Sequence, residues 1–446
     1  MSRYKAYAEY KDSGVEWIGA IPNQWQVKPL FAVATTESIK NDDGKETNVL
    51  SLSYGNIIKR DVEDNFGLLP ESFNTYQLVN EGDLILRLTD LQNDKRSLRV
   101  GQAKEIGIIT SAYLKLVAKK NSINEKYLYR LLHSYDTTKV FYGMGGGLRQ
   151  SMKFEEMKRL EMLVPNLTEQ EKIANFLDHE TAKIDTLIAK QQELIKLLKE
   201  KRQAVISHAV TKGLNPNAPM RESGVEWLGE VPAHWSVSSI GYHAQISTGA
   251  TPDRTNSEYW NGNIPWIKTG EVRYDEIFET EEYITELAIS NSSVKISPPG
   301  TLLMAMYGQG VTRGRVAILG VPATYNQACA AINASERFFN QYLRYYFMAA
   351  YHAIRDGGNE TSQMNLNADI VGKFKVTIPY IEEQYQIVEF LDKSLKKLDI
   401  LLEQALSSID FIQERRTALI SAAVTGKIDV REWRPASIPD LEDAAA

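Results

Sequence analysis

A fourteen-residue stretch that occurs twice constrains this chain more than any other feature. DSGVEWIGAIPNQW fills residues 12–25 and ESGVEWLGEVPAHW fills residues 222–235, with eight identical positions at an offset of 210. Each copy contains two tryptophans at the same spacing. Because tryptophan is rare and its spacing is kept, the stretch indicates an internal duplication, and we expect these tryptophans mainly to pack.

A second repeat predicts two long helices. Residues 165–178 (PNLTEQEKIANFLD) align with residues 379–392 (PYIEEQYQIVEFLD), and the offset of 214 continues to the end of AVISHAVT and ALISAAVT. In the first copy, no glycine or proline lies between Thr168 and Ala209. Thr168 is the expected N-cap of a capping box, and a glycine follows the helix as a C-cap should.

Both predicted helices carry apolar residues near heptad spacing, which include Ile184, Leu187, Leu194 and Leu198 in the first copy. A helix of about 42 residues would be roughly 60 Å long. A rod of that length is too amphipathic to be stable alone, so the simplest partner of each helix is the other, in a two-helix coiled coil. Two separate helices, each packed on its own domain, are the alternative.

The repeats enclose two segments that differ from each other. The segment from Trp25 to Pro165 and the segment from Trp235 to Pro379 have similar lengths, but their interiors barely resemble each other. Both read as mixed α+β globules, with short β-rich runs between turn residues. Matching frames around unlike contents suggest one architectural task done twice and two different targets recognised; neutral drift of the two halves is the alternative.

Bulk properties set the class of protein. A chain of 446 residues predicts two or three domains. It has no run of 18 apolar residues, no apolar leader and a single cysteine, Cys329, so we expect a cytoplasmic protein without disulfides or a membrane span. The net charge of −6 argues weakly against nucleic-acid binding. The acid is concentrated at residues 271–286 and 440–443, which leaves room for a basic face elsewhere.

No local motif marks a catalytic centre. The sequence lacks a phosphate-binding GxxxxGK[ST] loop, a zinc-binding HExxH and the Asn/Asp-Pro-Pro-Tyr/Phe motif of amino-methyltransferases, and its six histidines are scattered. We therefore expect a non-catalytic binding protein with no cofactor or metal of its own.

Polar and glycine-rich loops in the two variable segments are the candidate binding sites. Arg, Lys, Gln and Asn can form bidentate bonds to base edges, and Lys and Arg also neutralise phosphates. For each loop taken alone, an ordinary solvated loop is the competing interpretation. The candidates in the first segment are Arg87, Asp90, Gln92, Asn93, Lys95, Arg96, Arg99, Arg149 and Gln150. Those in the second segment are Lys268, Thr269, Gln309, Thr312, Arg313, Arg315, Asn326, Gln327, Ser362 and Gln363.

Together these features resemble the specificity (HsdS-type) subunits of type I restriction–modification systems. SGVEWIGAIPNQW, the TGATP…YWNGNIPWIKTGE run, the Pro…Glu-Gln…Phe-Leu-Asp entry to each long helix and the AVISHAVTKG exit carry the resemblance over nearly the whole chain. It implies an α+β fold class, with two globular target recognition domains separated by two long helices that form an antiparallel coiled coil, in a pseudo-twofold internal repeat. The implied segments are a first target recognition domain at 1–165, a central spacer helix at 166–214, a second recognition domain at 215–379, a distal spacer helix at 380–428 and a C-terminal tail at 429–446.

The resemblance also implies a function and partners. Each domain would read one half of an asymmetric bipartite site in double-stranded DNA, and the helices would set the gap. The subunit would recruit two modification subunits, which carry S-adenosylmethionine and methylate adenine N6, and restriction subunits, which use ATP and Mg²⁺. Three alternatives stay open: a system whose modification subunit also cleaves, a coiled-coil scaffold that binds proteins, and a self-sufficient methyltransferase.

Overall fold

The chain divides into two compact units. One combines residues 1–191 with 407–446, and the other consists of residues 192–406. Each unit contains a globular α+β body and about half of each long helix. The five segments that the sequence analysis predicts are consecutive stretches of the chain, and their boundaries stay a prediction. The computed structural model describes residues 4–61, 72–91, 97–143, 152–308, 311–356 and 366–435.

The body of the first unit is built on short strands. They are β1 (Tyr10–Asp12), β2 (Ala20–Pro22), β3 (Gln26–Pro29), β4 (Ala34–Thr36), β5 (Leu50–Ser53), β6 (Asn56–Lys59), β7 (Gln77–Val79), β8 (Leu84–Leu86), β9 (Val100–Gln102), β10 (Gly107–Ile109), β11 (Leu114–Ala118) and β12 (Glu161–Val164). The helices are α1 (Leu30–Val33), α2 (Glu125–Thr137), α3 (Phe154–Met157) and the long α4 (Leu167–Lys212). An antiparallel sheet of order β4-β11-β8-β9 packs against α2 and forms the main core.

The body of the second unit repeats this plan with additions. Its strands are β13 (Met220–Glu222), β14 (Glu230–Pro232), β15 (Ser236–Ser239), β16 (Ala244–Thr248), β17 (Trp260–Ile267), β18 (Glu276–Ile277), β19 (Tyr283–Ile284), β20 (Leu302–Ala305), β21 (Val316–Leu319), β22 (Thr324–Tyr325), β23 (Cys329–Ala334) and β24 (Lys375–Ile378). The helices are α5 (Glu286–Ser290), α6 (Asn340–Ala349), α7 (Tyr351–Asp356), α8 (Ala368–Lys373) and the long α9 (Ile381–Val424). Its main sheet has the order β16-β23-β20-β21-β18, and a second sheet has the order β19-β17-β22.

The doubled tryptophan stretch forms the same frame in each unit. It folds as the hairpin β1-β2 in the first copy and β13-β14 in the second. Trp25 is fully buried, and its indole N–H donates to Glu169 Oε1 (2.9 Å). Trp235, 1% exposed, donates in the same way to Glu383 Oε2 (2.9 Å). Each long helix thus begins on the tryptophan of its own unit.

The other two tryptophans of the frame also pack. Trp17 is 45% exposed but lies edge-on against Tyr135, with ring centroids 4.9 Å apart. Trp227 stacks on Phe374 at 6.0 Å. The repeated stretch is therefore structural in both copies.

The two long helices pair as an antiparallel coiled coil. In the first unit, the Nε of Arg416 in α9 donates to Asp185 in α4 (2.9 Å). In the second unit the roles are reversed, and Arg202 in α4 donates to Asp399 in α9 (3.1 Å). A rising number on one helix meets a falling number on the other, which only antiparallel helices produce.

Two details of the helices differ from the sequence-based expectations. The first helix begins at Leu167, and Asn166 caps it by accepting from the backbone N–H of Glu169 (2.9 Å), so Thr168 is not the N-cap. Leu187 and Leu194 are 49% and 43% exposed, although their spacing placed them in the apolar seam. Within the described ranges, no helix is both long and apolar enough to cross a membrane.

Candidate nucleic-acid interface

The second unit gathers its described candidate residues at one edge of its sheets, here called edge 2 (residues 249–251, 268–271, 306–308, 311–315 and 326–328). β17 and β22 are parallel, so their carboxyl ends meet there. The carboxyl ends of β16 and β20 and the start of β23 reach the same edge, because both strands pair antiparallel with β23. Strand topology therefore brings together loops that are far apart in sequence.

Asn326 and Gln327 lie at the centre of edge 2. The backbone N–H of Asn326 donates to Ile267 O (3.0 Å), which ties the two carboxyl ends together. Gln327 is exposed, and its Oε1 accepts a hydrogen bond from the hydroxyl of Thr251. An exposed amide held beside a hydroxyl can present donors and acceptors to a base edge.

Lys268 and Thr269 follow β17 at this edge, but the charge of Lys268 is offset. Its ammonium lies 2.8 Å from Glu281 and 3.0 Å from Glu282. The hydrogen bond to Glu281, followed by that to Glu282, raises the pKa of Lys268. Contact with a phosphate would require Lys268 to leave these carboxylates, so it is a weaker candidate than its sequence context suggested.

The loop between β20 and β21 supplies three further candidates. Thr312 and Arg313 are half-buried, and Arg313 donates to the backbone O of Arg355 (3.3 Å). Arg315 is also half-buried and lies over the ring of Tyr274, 5.7 Å from its centroid. These side chains are partly held by the protein and partly open to solvent.

The corresponding edge of the first unit, edge 1 (residues 87–91, 97–99 and 152), lies at the carboxyl end of β8. Arg87 is half-exposed and follows β8 directly. Asp90 has a positive backbone φ of 59°, a left-handed conformation that Asp tolerates better than most residues. Asp90 thus shapes the turn that presents this loop.

Arg99 must be corrected as a base-contacting candidate. Its side chain is fully buried, and its guanidinium donates to the backbone oxygens of Thr89 (2.9 Å) and Asp90 (3.1 Å). A side chain that braces the loop from inside is not placed to contact DNA. Sequence reasoning missed this because Arg99 looks like its basic neighbours, and only the register of β8 and β9 turns it inward.

Edges 1 and 2 have the same backbone framework. Arg87 N donates to Arg99 O and Ala305 N donates to Arg315 O, both at 2.9 Å. At the next residue of each strand's end, a second hydrogen bond is also shared: Met152 N donates to Leu88 O (2.9 Å), and Leu366 N donates to Met306 O (3.1 Å). The loops after β8 and β20 are therefore equivalent, a relation that the sequence analysis did not find.

The sequence analysis missed one residue of the second unit, and several of its candidates lie outside the described residues. Arg254 was not a candidate, yet its guanidinium stacks over Trp260 at 3.9 Å and its side chain is half exposed. Like Lys268, it pairs with Glu282, so its charge is also offset. An arginine shortly before a tryptophan was the signal that could have found it. The structure does not describe Gln92, Asn93, Lys95, Arg96, Arg149, Gln150, Gln309, Ser362 and Gln363, which lie outside the described residues.

The described residues of the two edges carry hydrogen-bonding groups and cations. Over the part of the chain that the structure describes, no three His, Cys, Asp or Glu side chains are grouped as a metal site. Cys329, near edge 2, is buried, and burial raises the pKa of its thiol to about 12. The chemistry that the edges offer is hydrogen bonding and positive charge.

These features define a class: a duplicated α+β protein with two unlike polar edges on matching frames and a helical pair. The model of the family described as type I restriction modification DNA specificity domain matches residues 100–197 and 232–409. The chain belongs to this family.

Named relatives agree with this assignment. The specificity subunit of the type I restriction enzyme EcoR124I/EcoR124II of Escherichia coli is 27% identical over 286 residues, which cover 60% of this chain and 62% of the relative. The chain therefore spans less than two thirds of that relative's length. The putative type I restriction enzyme MjaX specificity subunit of Methanocaldococcus jannaschii is 22% identical over 431 residues, 93% of this chain and 96% of the relative.

Solved structures share the fold. A chain from a study of complex assembly and conformational transition of the type I R-M system matches with a TM-score of 0.70 and 14% identity, over 92% of this chain and 99% of that one. The HsdS subunit of Thermoanaerobacter tengcongensis matches with a TM-score of 0.54 and 14% identity, over 92% and 98% of the two chains. The α+β architecture with two long helices is thus confirmed.

Proposed function

We propose that this chain is the DNA sequence-recognition subunit of a type I restriction–modification complex. Each unit reads one half of an asymmetric bipartite site through its edge, and the paired helices set the unspecified gap between the halves. The chain performs no chemistry itself. The observation that carries the proposal is the equivalence of edges 1 and 2: the same backbone framework presents different side chains on a repeated frame.

The chemistry of the edges supports a base-reading role. Arg87 at edge 1 is half-exposed and Gln327 at edge 2 is exposed, and both belong to the side-chain types that bond to base edges or phosphates. The net charge of −6 is no obstacle in an assembly, because other subunits can enclose the duplex and supply phosphate contacts.

The helices support recruitment of two copies of one partner. Leu187 and Phe411 are 49% and 70% exposed on the helical pair of the first unit. Their repeat equivalents, Leu401 and Leu197, are 47% and 53% exposed on the pair of the second unit. Exposed large apolar side chains mark protein interfaces when they cluster. We infer that each half-pair binds one adenine-N6 methyltransferase subunit, which carries S-adenosylmethionine.

Restriction subunits that use ATP and Mg²⁺ would join the same complex. The alternative is a modification subunit that also cleaves. The purified methyltransferase complex is mixed with unmodified DNA and ATP, with and without a separate restriction subunit. Cleavage only when the restriction subunit is present supports the proposed arrangement, and cleavage without it supports the alternative.

The test of recognition uses the chain together with its modification subunit. The purified complex is incubated with genomic DNA and S-adenosylmethionine, and methylated adenines are mapped by sequencing. We expect two unlike half-sites separated by a fixed gap. Methylation without a shared sequence, or a complex that does not bind DNA, contradicts the proposal, and the second result favours a protein-binding scaffold.

Shortening the helices tests the gap. Removing one heptad from each helix, between Asp185 and Arg202 in α4 and between Asp399 and Arg416 in α9, keeps both interhelical ion pairs. Seven residues span about 10 Å, or roughly three base pairs of DNA. The mapped gap should shorten by about that number while both half-sites stay the same. A changed half-site with an unchanged gap would show that the helices are not the ruler.

Reversing one charge tests edge 1. Arg87→Glu should weaken specific DNA binding by the assembled methyltransferase and leave assembly intact, because Arg87 is half-exposed at the end of β8. Glu81→Lys, on an exposed residue shortly before β8 and therefore at the opposite end of that strand, is the charge-reversal control. Unchanged specific binding with Arg87→Glu removes Arg87 from the proposed edge.

A further inference from the structure

Behind each edge, one side chain of the neighbouring helix holds the loop in place. The two positions are equivalent, since Asp136 stands nine residues after Tyr127 and Tyr351 stands nine residues after Tyr342. The two tyrosines are themselves equivalent, because their hydroxyls contact equivalent residues. The hydroxyl of Tyr127 donates to Leu163 O (3.0 Å), and the hydroxyl of Tyr342 lies 2.7 Å from Oγ1 of Thr377, the residue 214 positions after Leu163.

Asp136 holds the end of the loop in the first unit. Its carboxylate is fully buried, and Oδ2 accepts from the backbone N–H groups of Arg99 and Val100. Oδ1 accepts from the hydroxyl of Tyr142 (2.9 Å). One carboxylate therefore fixes the backbone from which the buried Arg99 side chain braces Thr89 and Asp90.

Tyr351 holds the equivalent loop in the second unit with the opposite polarity. Its hydroxyl donates to the backbone O of Val311 (2.7 Å) and accepts from Arg355 (3.0 Å). Val311 directly precedes the candidates Thr312 and Arg313. Where the first unit uses an acceptor to hold backbone N–H groups, the second uses a donor to hold a backbone carbonyl.

We propose that Asp136 and Tyr351 are positioning residues that set the base specificity of edge 1 and edge 2 respectively, each without touching DNA. This inference rests on the proposed DNA-recognition function. A base-reading side chain discriminates only when its backbone is held in place, since small displacements break the geometry of a bidentate bond. Releasing one holder loosens one loop and leaves the other unchanged.

The experiment measures discrimination in each half-site separately. Complexes of the chain with its modification subunit methylate short duplexes that carry the mapped wild-type site or a single base-pair substitution in one half. The ratio of initial rates on the intact and substituted sites gives a specificity for each half. The variants are Asp136→Asn, which keeps one acceptor oxygen, and Tyr351→Phe, which removes only the hydroxyl.

Asp136→Asn should reduce the specificity of one half-site and Tyr351→Phe that of the other, each by about two- to tenfold, the equivalent of one net hydrogen bond. Each variant controls for changes in the whole complex, which would affect both halves, and hydrogen exchange of the mutated unit shows whether its own stability is kept. Tyr142→Phe spares the backbone contacts of Asp136 but removes the hydroxyl that donates to Asp136 Oδ1 and lies 3.2 Å from Ser97 O. It should give a milder change in the same half, and it keeps the test open if Asp136→Asn misfolds. A wild-type complex without a bipartite site refutes the proposed function, whereas equal changes in both halves, or none, overturn only this inference.

Discussion

Replacing Glu169 by alanine tests the tryptophan frame of the first unit, which carries edge 1. Glu169 is 2% exposed, and its Oε1 accepts from the hydroxyl of Tyr7 (2.7 Å) and the indole of Trp25 (2.9 Å). Burial, reinforced by Glu169, raises the pKa of Tyr7, so its phenol remains a donor. Glu169→Ala leaves two buried donors without an acceptor, at about 1–3 kcal/mol each. We expect the free energy of unfolding of the first unit to fall by about 2–6 kcal/mol.

The repeat supplies a matched control. Glu383 occupies the equivalent position and accepts from Trp235 and His234, both at 2.9 Å. The side chains of Glu383 and His234 are 24% and 41% exposed, so water can replace part of what Glu383→Ala removes. We expect this variant to cost only about 1–2 kcal/mol. Glu169→Gln keeps an oxygen for both donors and should cost less than Glu169→Ala.

Hydrogen exchange read by mass spectrometry suits this test, because peptides from the two units report separately on their free energies of opening. Glu169→Ala should lower protection in the first unit well beyond the effect of Glu383→Ala in the second. Equal losses from the two variants, or a loss from Glu169→Gln as large as that from alanine, would refute the argument that burial of the two donors sets the cost.

Three further predictions use single groups. Burial, then Arg416 and Arg130, lowers the pKa of His133 to about 4. The unfolded chain therefore binds a proton at this histidine before the folded chain does, and the free energy of unfolding falls as the pH drops from 6.5 towards 4. Urea titrations at several pH values should show that His133→Leu loses about 3 kcal/mol less of this free energy over that range. Cys329 should react with a thiol reagent only after unfolding, because the buried thiol has a pKa of about 12; rapid labelling of the native chain would contradict this. Reversing the charge of either Asp185 or Arg416 should lower the free energy of unfolding by up to about 1 kcal/mol. Exchanging the two residues should restore this stability in a double-mutant cycle, and all of these effects should be smaller at high salt.

Much of the framework was predictable because local sequence determines it. Repeated Trp, Glu and Pro residues marked the frames, and uninterrupted stretches without Gly or Pro marked the helices. Finer features depended on contacts that spacing does not encode. Asn166 rather than Thr168 caps α4 because its side chain reaches Glu169 N. Leu187 follows the apolar spacing but lies outside the seam.

The candidate site was predictable as a set of loops but not side chain by side chain. Lys268 reads as a free cation in sequence, yet strand β19 and the residues before it bring Glu281 and Glu282 against it. Arg99 reads as a surface base contact, yet it is fully buried. Both corrections come from contacts between residues at least nine positions apart, which a local pattern cannot reveal.

The two variable segments are divergent copies of one domain rather than unrelated inserts. The order β4-β11-β8-β9 is repeated in β16-β23-β20-β21, and Arg99 and Arg315 accept the same backbone hydrogen bond although little sequence around them matches. Core strands must keep their pairing to fold, whereas loops at their ends are free to change. On the proposed function, the loops after β8 and β20 are where the two units differ in specificity. Helix positions such as Asp136 and Tyr351 would then change with these loops, because each loop needs a partner of the correct hydrogen-bonding polarity.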